Sequence, residues 1–449
     1  MMGAMRWKQI SLTGWGRRHA SQAKAARPER RAELLAALAD AGGGPVLARG
    51  AGRSYGDCAT AEGGRVLLTE RLDRILDFDP DSGAVVVEPG VTFADLMATF
   101  LPRGWVAPVN PGTAFATVGG AIANDVHGKN HEHEGSFGDH LRWADLLLPS
   151  GEVVRISPRT RPDLFRATIG GVGLTGIVVA AGFRLKQVPS NALWTHESRI
   201  GNLNQFLGAL TDALAQPGYT VGWIDALAAG RHLGRGILER GWPAEHDLRE
   251  PPPRRRSFPF DLPSGLLNKW TVAGFNELYW RRIPVEGRDG KARYDKFLFP
   301  LDAVLHWNRA YGKRGFHQFQ CVLPSDQAEA ALRRMLQTVQ ETGNASCLAV
   351  LKAMRGKGRG YLSFPADGFT LALDLPARDG THALLARLET LTRDHGGRVY
   401  LAKDSALSAA GFKAMYPDLE RFRAAVAEAD PDRRLGSDMA RRLDIRGAA

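Results

Sequence analysis

The chain has 449 residues, 44% apolar and 24% charged, with 59 Lys and Arg against 48 Asp and Glu, a net charge of +11. That balance suits two or three folded domains and excludes a largely disordered chain. Glycine is in excess, 51 residues or about 11% against a usual ~7%, but no G-X-Y period accompanies it, which excludes collagen.

Taken in chain order, Glu29–Gly42 has helical periodicity and ends on glycine. Short strands are expected at Val46–Arg49, Arg65–Thr69 and Ala84–Glu88, the last two separated by the turn Asp79–Gly83. Phe93–Leu101 reads as a helix. Asn110–Asn130 is too glycine-rich for one regular element and too apolar for a solvated loop. A hairpin at Asp145–Leu148 and Glu152–Ile156, a helix at Asp163–Thr168 and a strand running to Lys186 follow. Beyond about residue 190, helices at Leu203–Ala215, Gln327–Glu341 and Ala383–Asp394 alternate with strands near Thr220–Ile224, Gln318–Leu323, Cys347–Leu351 and Thr370–Leu375. This alternation predicts a sheet covered on one side by helices. Ala244–Ser264 lacks periodicity and is the candidate mobile loop or lid.

Three scattered cysteines, Cys58, Cys321 and Cys347, form neither a disulfide framework nor a zinc spacing, as suits a reducing compartment. No signal peptide and no 18-residue apolar run is visible, so the expectation is a cytoplasmic protein without a membrane span. The basic run at Arg254–Arg256, after Pro251–Pro253, reads either as a solvated loop or as an edge meeting a membrane or a phosphate. Nucleic acid is not expected as a partner, since no binding signature accompanies the charge.

The glycines gather at Arg49–Gly56, around Gly119 and Gly120, and at Gly170, Gly171, Gly173 and Gly176. Such turns either only shape the backbone or aim N–H groups at phosphate oxygens. Neither a Rossmann fingerprint nor a Walker A sequence is present.

In order and spacing, ARGAGRSYGD (Ala48–Asp57), PGTAFATVGGAIANDVHGKN (Pro111–Asn130) and GGVGLTGI (Gly170–Ile177) resemble the FAD-binding domain of the vanillyl-alcohol-oxidase superfamily. Within it, the chain is similar to the flavoprotein oxidases of decaprenylphosphoryl-β-D-ribose epimerisation, a likeness extending through HWNRAYG, FHQFQCVLP and YLAKDS to SDMARRL. The resemblance implies an α+β, two-domain, PCMH-type fold with an α/β substrate domain. The FAD-binding part would cover 5–190 and be completed by 398–449. The substrate-binding part would cover 191–397.

By the same resemblance, FAD would lie along Arg49, Gly50, Ala51, Gly52, Arg53, Ser54, Tyr55 and Gly56. Further contacts would come from Gly112, Thr117, Val118, Gly119, Gly120, Asn124, His127, Val178 and Tyr400. Many superfamily members attach FAD through a histidine in a G-x-G-H-S turn. Arg53 holds that place here, so non-covalent FAD is expected.

His127, Lys129 and Lys403 would border the reactive face. Lys403 is the candidate cation for charge developing on the flavin, and His127 a candidate base. Gln320, Lys352, Trp223, Trp307, Tyr311 and Thr370 would surround the substrate. Thr370 and Ala372 stand where mycobacterial members carry asparagine and cysteine. His127, His131, His133 and His140 cluster in the sequence, but Asn130 and Gly135 mark a loop with no metal-ligand motif, so no metal is expected.

The expected activity is FAD-dependent oxidation of the C2 hydroxyl of a polyprenylphosphoryl-β-D-ribose, with a short-chain reductase acting on the keto product. A soluble sugar or aldonolactone oxidase and a non-catalytic basic surface-binding protein remain the alternatives.

Overall fold

The computed structural model describes residues 6–249, 255–263, 265–344 and 347–447. The fold is α+β and rests on three main sheets. A mixed four-stranded sheet has the order Lys8–Thr13, Ala20–Ala26, Arg65–Leu68, Val46–Arg49. A five-stranded antiparallel sheet has the order Ile75–Phe78, Ala84–Val87, Ile177–Arg184, Leu141–Leu147, Val153–Ile156. All of these strands precede residue 190.

The third sheet has eight antiparallel strands: Arg288–Arg293, Ala192–Ile200, Gly236–Pro243, Tyr219–Ile224, Ala349–Met354, Gly368–Pro376, Phe316–Leu323 and Arg398–Val399. Its central strands alternate strictly, because successive side chains of a strand point to opposite faces. Phe319, Cys321, Leu323, Leu351, Leu371, Leu373 and Leu375 join a core with the helices Leu203–Ala213, Ala328–Thr342 and Thr381–Asp394. Gln318, Gln320, Val350, Lys352, Thr370, Ala372 and Asp374 hold the intervening positions, on the opposite face. Register sets Gln318 opposite Asp374 and Gln320 opposite Ala372. It sets Val350 opposite Ala372 and Lys352 opposite Thr370.

The last residues return to the first sheet. Asp438 accepts from the Ser21 hydroxyl at 2.5 Å, and Arg442 spans Asp57 and Asp404, each at 2.7 Å. These charge-assisted bonds, at least partly buried, tie the C-terminus to the first sheet and to the Arg49–Asp57 turn.

Several elements differ from expectation. Lys8–Thr13 and Ala20–Ala26 were not anticipated as strands, nor Lys269–Arg281 as a helix. Within Asn110–Asn130, Val118–Ala123 is helical because Thr117 Oγ1 caps it, accepting from the Gly120 amide at 3.2 Å. His131–Glu134 is a helical turn, not a loop. In the expected lid, Arg256–Ser257 pairs in parallel with Val304–Leu305. Pro251–Arg254 of the basic run lie outside the described residues. No described helix is long and apolar enough to cross a membrane.

Candidate active site

One cavity of about 380 Å³ lies between the glycine turns and the polar face of the eight-stranded sheet. On one wall are Arg49 through Tyr55, Gly112, Thr117, Gly119, Gly120, Asn124, His127, Val178 and Tyr400. On the other are Gln320, Lys352, Trp307 and Ala372, and Lys403 lines the cavity with them. The third glycine cluster also takes part, through Val172, Gly173, Thr175 and Gly176. Val172 adopts φ +46°, a strained value for a β-branched residue.

The first turn needs its glycines. Gly52 has φ +62°, and a Cβ on Gly56 would collide with the Asp404 carbonyl oxygen. The amides of Ala51, Gly52 and Arg53 find no acceptor among the described residues. Arg53 Nε, Asn124 Oδ1 and His127 Nδ1 are likewise buried without a partner. A buried, unpaired polar group costs about 1–3 kcal/mol, so this wall is built to meet a polar ligand, and a flavin dinucleotide fits it. The amides of Val118 and Gly119, by contrast, are already spent on Val91 and Pro89.

His127 is buried, 5.2 Å from the Tyr400 ring and 5.4 Å from the Phe364 ring. Its Nε2 lies 3.1 Å from Gln320 Nε2, which also reaches Thr370 Oγ1 at 3.1 Å. With the amide NH2 facing both acceptors, the imidazole carries its proton on Nδ1. Burial, then the charges of Lys352, His131 and Lys403, hold its pKa well below the usual histidine value. This arrangement makes His127 a neutral donor through Nδ1 and a poor base.

Lys403 is half-buried, with its ammonium 3.9 Å from the centre of the Tyr55 ring. Burial lowers its pKa, opposed by the charge of Asp374. Asp374 is pushed up by burial while accepting from Gln318 and, at 3.2 Å, from the Tyr311 hydroxyl. Lys352 donates to the Gly128 carbonyl at 3.1 Å, and burial brings its pKa down to about 8.

Some expected residues stand elsewhere. Lys129 does not line the cavity: its ammonium is held by the Phe297 carbonyl and lies 3.6 Å from Glu239. Gly56 and Val118 sit behind the wall. Trp223 is turned aside, its indole donating to the Cys347 carbonyl at 2.7 Å. Tyr311 and Thr370 act one layer back, on Asp374 and Gln320. His131 packs edge-on against His127 at 6.0 Å, and the His140 ring contacts the Glu134 carbonyl at 2.8 Å.

Sequence reasoning missed Trp15, Phe115, Asp302, His306 and Gln318 on the cavity wall, and Asp374 behind it. Trp15 and Phe115 flank the Arg53 guanidinium at 4.5 and 5.0 Å from their ring centres. Asp374 had a readable signal, a lone acid in the apolar strand FTLALDLP.

These features define a flavin-dependent oxidoreductase, and comparison with known proteins agrees. The FAD binding domain family matches residues 23–157, and the D-arabinono-1,4-lactone oxidase family matches 314–443. Decaprenylphosphoryl-β-D-ribose oxidase of Mycolicibacterium smegmatis is 37% identical, over 97% of this chain and 97% of the relative. An uncharacterized Streptomyces coelicolor protein is 36% identical over 79% of this chain and all of its own length. A glycolate oxidase subunit of Bacillus subtilis is 29% identical over 32% of each chain. The chain belongs to the family of FAD-dependent oxidoreductases that includes the decaprenylphosphoryl-β-D-ribose oxidase.

Proposed function

We propose that the protein oxidises the C2 hydroxyl of a polyprenylphosphoryl-β-D-ribose to the 2-keto sugar. The observation that carries this reading is the meeting, in one cavity, of the glycine-turn wall and Lys403 with the polar row Gln320–Lys352. The near-full-length similarity to the ribose oxidase supports the substrate class. Bound FAD supplies a hydride acceptor.

The chain's own groups do the rest. Arg49–Tyr55, Gly112, Thr117 and Asn124 hold the cofactor. Arg53 occupies the attachment position and cannot form a histidyl link, so FAD is held non-covalently. His127 Nδ1–H donates a hydrogen bond at the reacting end, fixed by Gln320 and Thr370. Lys403 supplies positive charge in a dry site, where a fixed charge acts strongly. Lys352 offers a cation to a substrate hydroxyl or phosphate. The chain divides into a cofactor part, 5–190 with 398–449, and a substrate part, 191–397. A short-chain reductase consumes the keto product, and the protein makes peripheral contact with the membrane that carries the lipid.

Anaerobic bleaching of the holoenzyme by lipid-linked ribose phosphate, with free pentoses and lactones alongside, tests the reading. Bleaching only by free sugars or lactones overturns it. That second outcome is a real alternative, because residues 314–443 match the arabinonolactone oxidase family.

A further inference from the structure

Among the described residues, eight large apolar side chains are conspicuously exposed, and six lie between Phe260 and Val285. Three belong to the helix Lys269–Arg281, namely Trp270 at 76%, Leu278 at 74% and Phe275 at 48% exposure. The helix is firmly placed: Asn268 caps it, accepting from the Trp270 and Thr271 amides, and Asn276 donates to Asp225 at 2.7 Å. At 100° per residue, Trp270, Leu278 and Phe275 share the outward face with Arg281.

Water does not favour such a face, since each of these side chains is stabilised on leaving it. The surrounding charges point to the occupant. Lys269 sits 4.8 Å over the Trp270 ring, and Arg281 and Arg282 stand at the far end. The helix has one acid, Glu277, and it is bound by Arg235 and Arg281. Trp, Phe and Leu rimmed by Lys and Arg on one helix face are the composition of an interfacial helix.

A row of rings then links this face to the cavity. Phe275 stacks on Tyr279 at 5.6 Å, Tyr279 meets Trp223 edge-on at 4.8 Å, and Trp223 pairs in register with the cavity-lining Val350.

We propose that the Lys269–Arg281 helix seats the protein on the surface of an anionic lipid bilayer, with Trp270, Phe275 and Leu278 in the interface. The choice of a bilayer over a protein partner rests on the lipid-linked substrate argued above. The aromatic row runs from the bilayer as far as Trp223, whose strand neighbour Val350 lines the site.

The test is co-sedimentation of the FAD-loaded protein with vesicles of phosphatidylcholine alone or mixed with phosphatidylglycerol. Binding to the mixed vesicles, weakened by salt, is expected, and Trp270→Ser/Leu278→Ser lowers the partition by roughly 10-fold or more. Lys269→Glu, a surface change that leaves the fold alone, also lowers it. Absence of wild-type binding, or a partition unchanged by all these substitutions, overturns the proposal. So does a wild-type dimer that the double substitution turns into a monomer, since the face then serves a second copy. Bleaching by detergent-dispersed lipid-linked ribose is measured on the same samples. Its failure in the wild type refutes the substrate reading while the vesicle result stands by itself.

Discussion

Gln320 Nε2 lies 3.1 Å from His127 Nε2, across the seam between the glycine-turn wall and the eight-stranded sheet. The same amide reaches Thr370 Oγ1, so one side chain fixes both the tautomer and the tilt of a buried imidazole. Gln320→Leu removes the donor and leaves Nε2 buried and unpaired, at a cost of about 1–3 kcal/mol. FAD should remain bound, while the rate of flavin bleaching falls. Stopped-flow reduction beside a thermal melt checks this, and an unchanged rate removes Gln320 from the site.

Lys403 and Asp374 set each other's charge. Lys403→Met should retain FAD and slow bleaching by roughly 100-fold, the scale of a lost electrostatic stabiliser. Asp374→Asn removes the negative charge that supports the Lys403 ammonium, so the Lys403 limb of the pH–rate profile moves to lower pH. A limb that stays in place, or moves upward, contradicts the pairing.

How much of this was legible beforehand follows a physical divide. Glycine turns declare themselves through backbone demands, as at Gly52, and alternation in FHQFQCVL and AVLKAM exposes which residues share a face. What alternation does not give is strand register, and register is what sets Gln318 opposite Asp374. Lys129 shows the opposite failure. It sits in a motif beside His127, yet a two-residue step turned it to Phe297 and Glu239. The Lys269–Arg281 helix escaped notice because its apolar residues ring the helix and carry no single stripe.

Lys352 makes a signed pH prediction. Burial lowers its folded pKa to about 8 from 10.5, so the unfolded chain binds the extra proton between those values. The resulting penalty is full below pH 8 and disappears as the pH rises to 10.5. FAD-free Lys352→Met is therefore more stable than wild type at pH 7, by about 1–3 kcal/mol. Denaturant titrations at several pH values should show the gap closing above pH 8, while the same variant weakens substrate-dependent bleaching.

Two glycines separate folding from cofactor binding. Gly56→Ala places a methyl group against the Asp404 carbonyl, and neither backbone can yield without moving the Arg442–Asp57–Asp404 network. Its melting temperature should fall sharply with or without FAD, by about 2 kcal/mol or more of stability. At Gly112 an added Cβ meets nothing within 4 Å, yet the residue lines the cavity. Gly112→Ala should melt as wild type without FAD and bind FAD more weakly, which a fluorescence titration measures. Equal FAD affinity would move Gly112 off the cofactor's path.

The attachment position gives the last prediction. Arg53 lies between the Trp15 and Phe115 rings, where burial lowers its pKa against the opposing charges of Asp302 and Glu70. A guanidinium there can hydrogen-bond a bound flavin but cannot form the histidyl bond that a G-x-G-H-S turn provides. Acid precipitation should leave a colourless pellet and all the yellow flavin in the supernatant. Flavin retained on the pellet would mean attachment through another cavity-lining nucleophile. Cys58 is poorly suited to that role, since burial raises its thiol to about 11. Arg53→Ala removes the cation stacked between the two rings, so its loss should appear as faster FAD release in a dilution experiment, with no change in how the flavin partitions after acid.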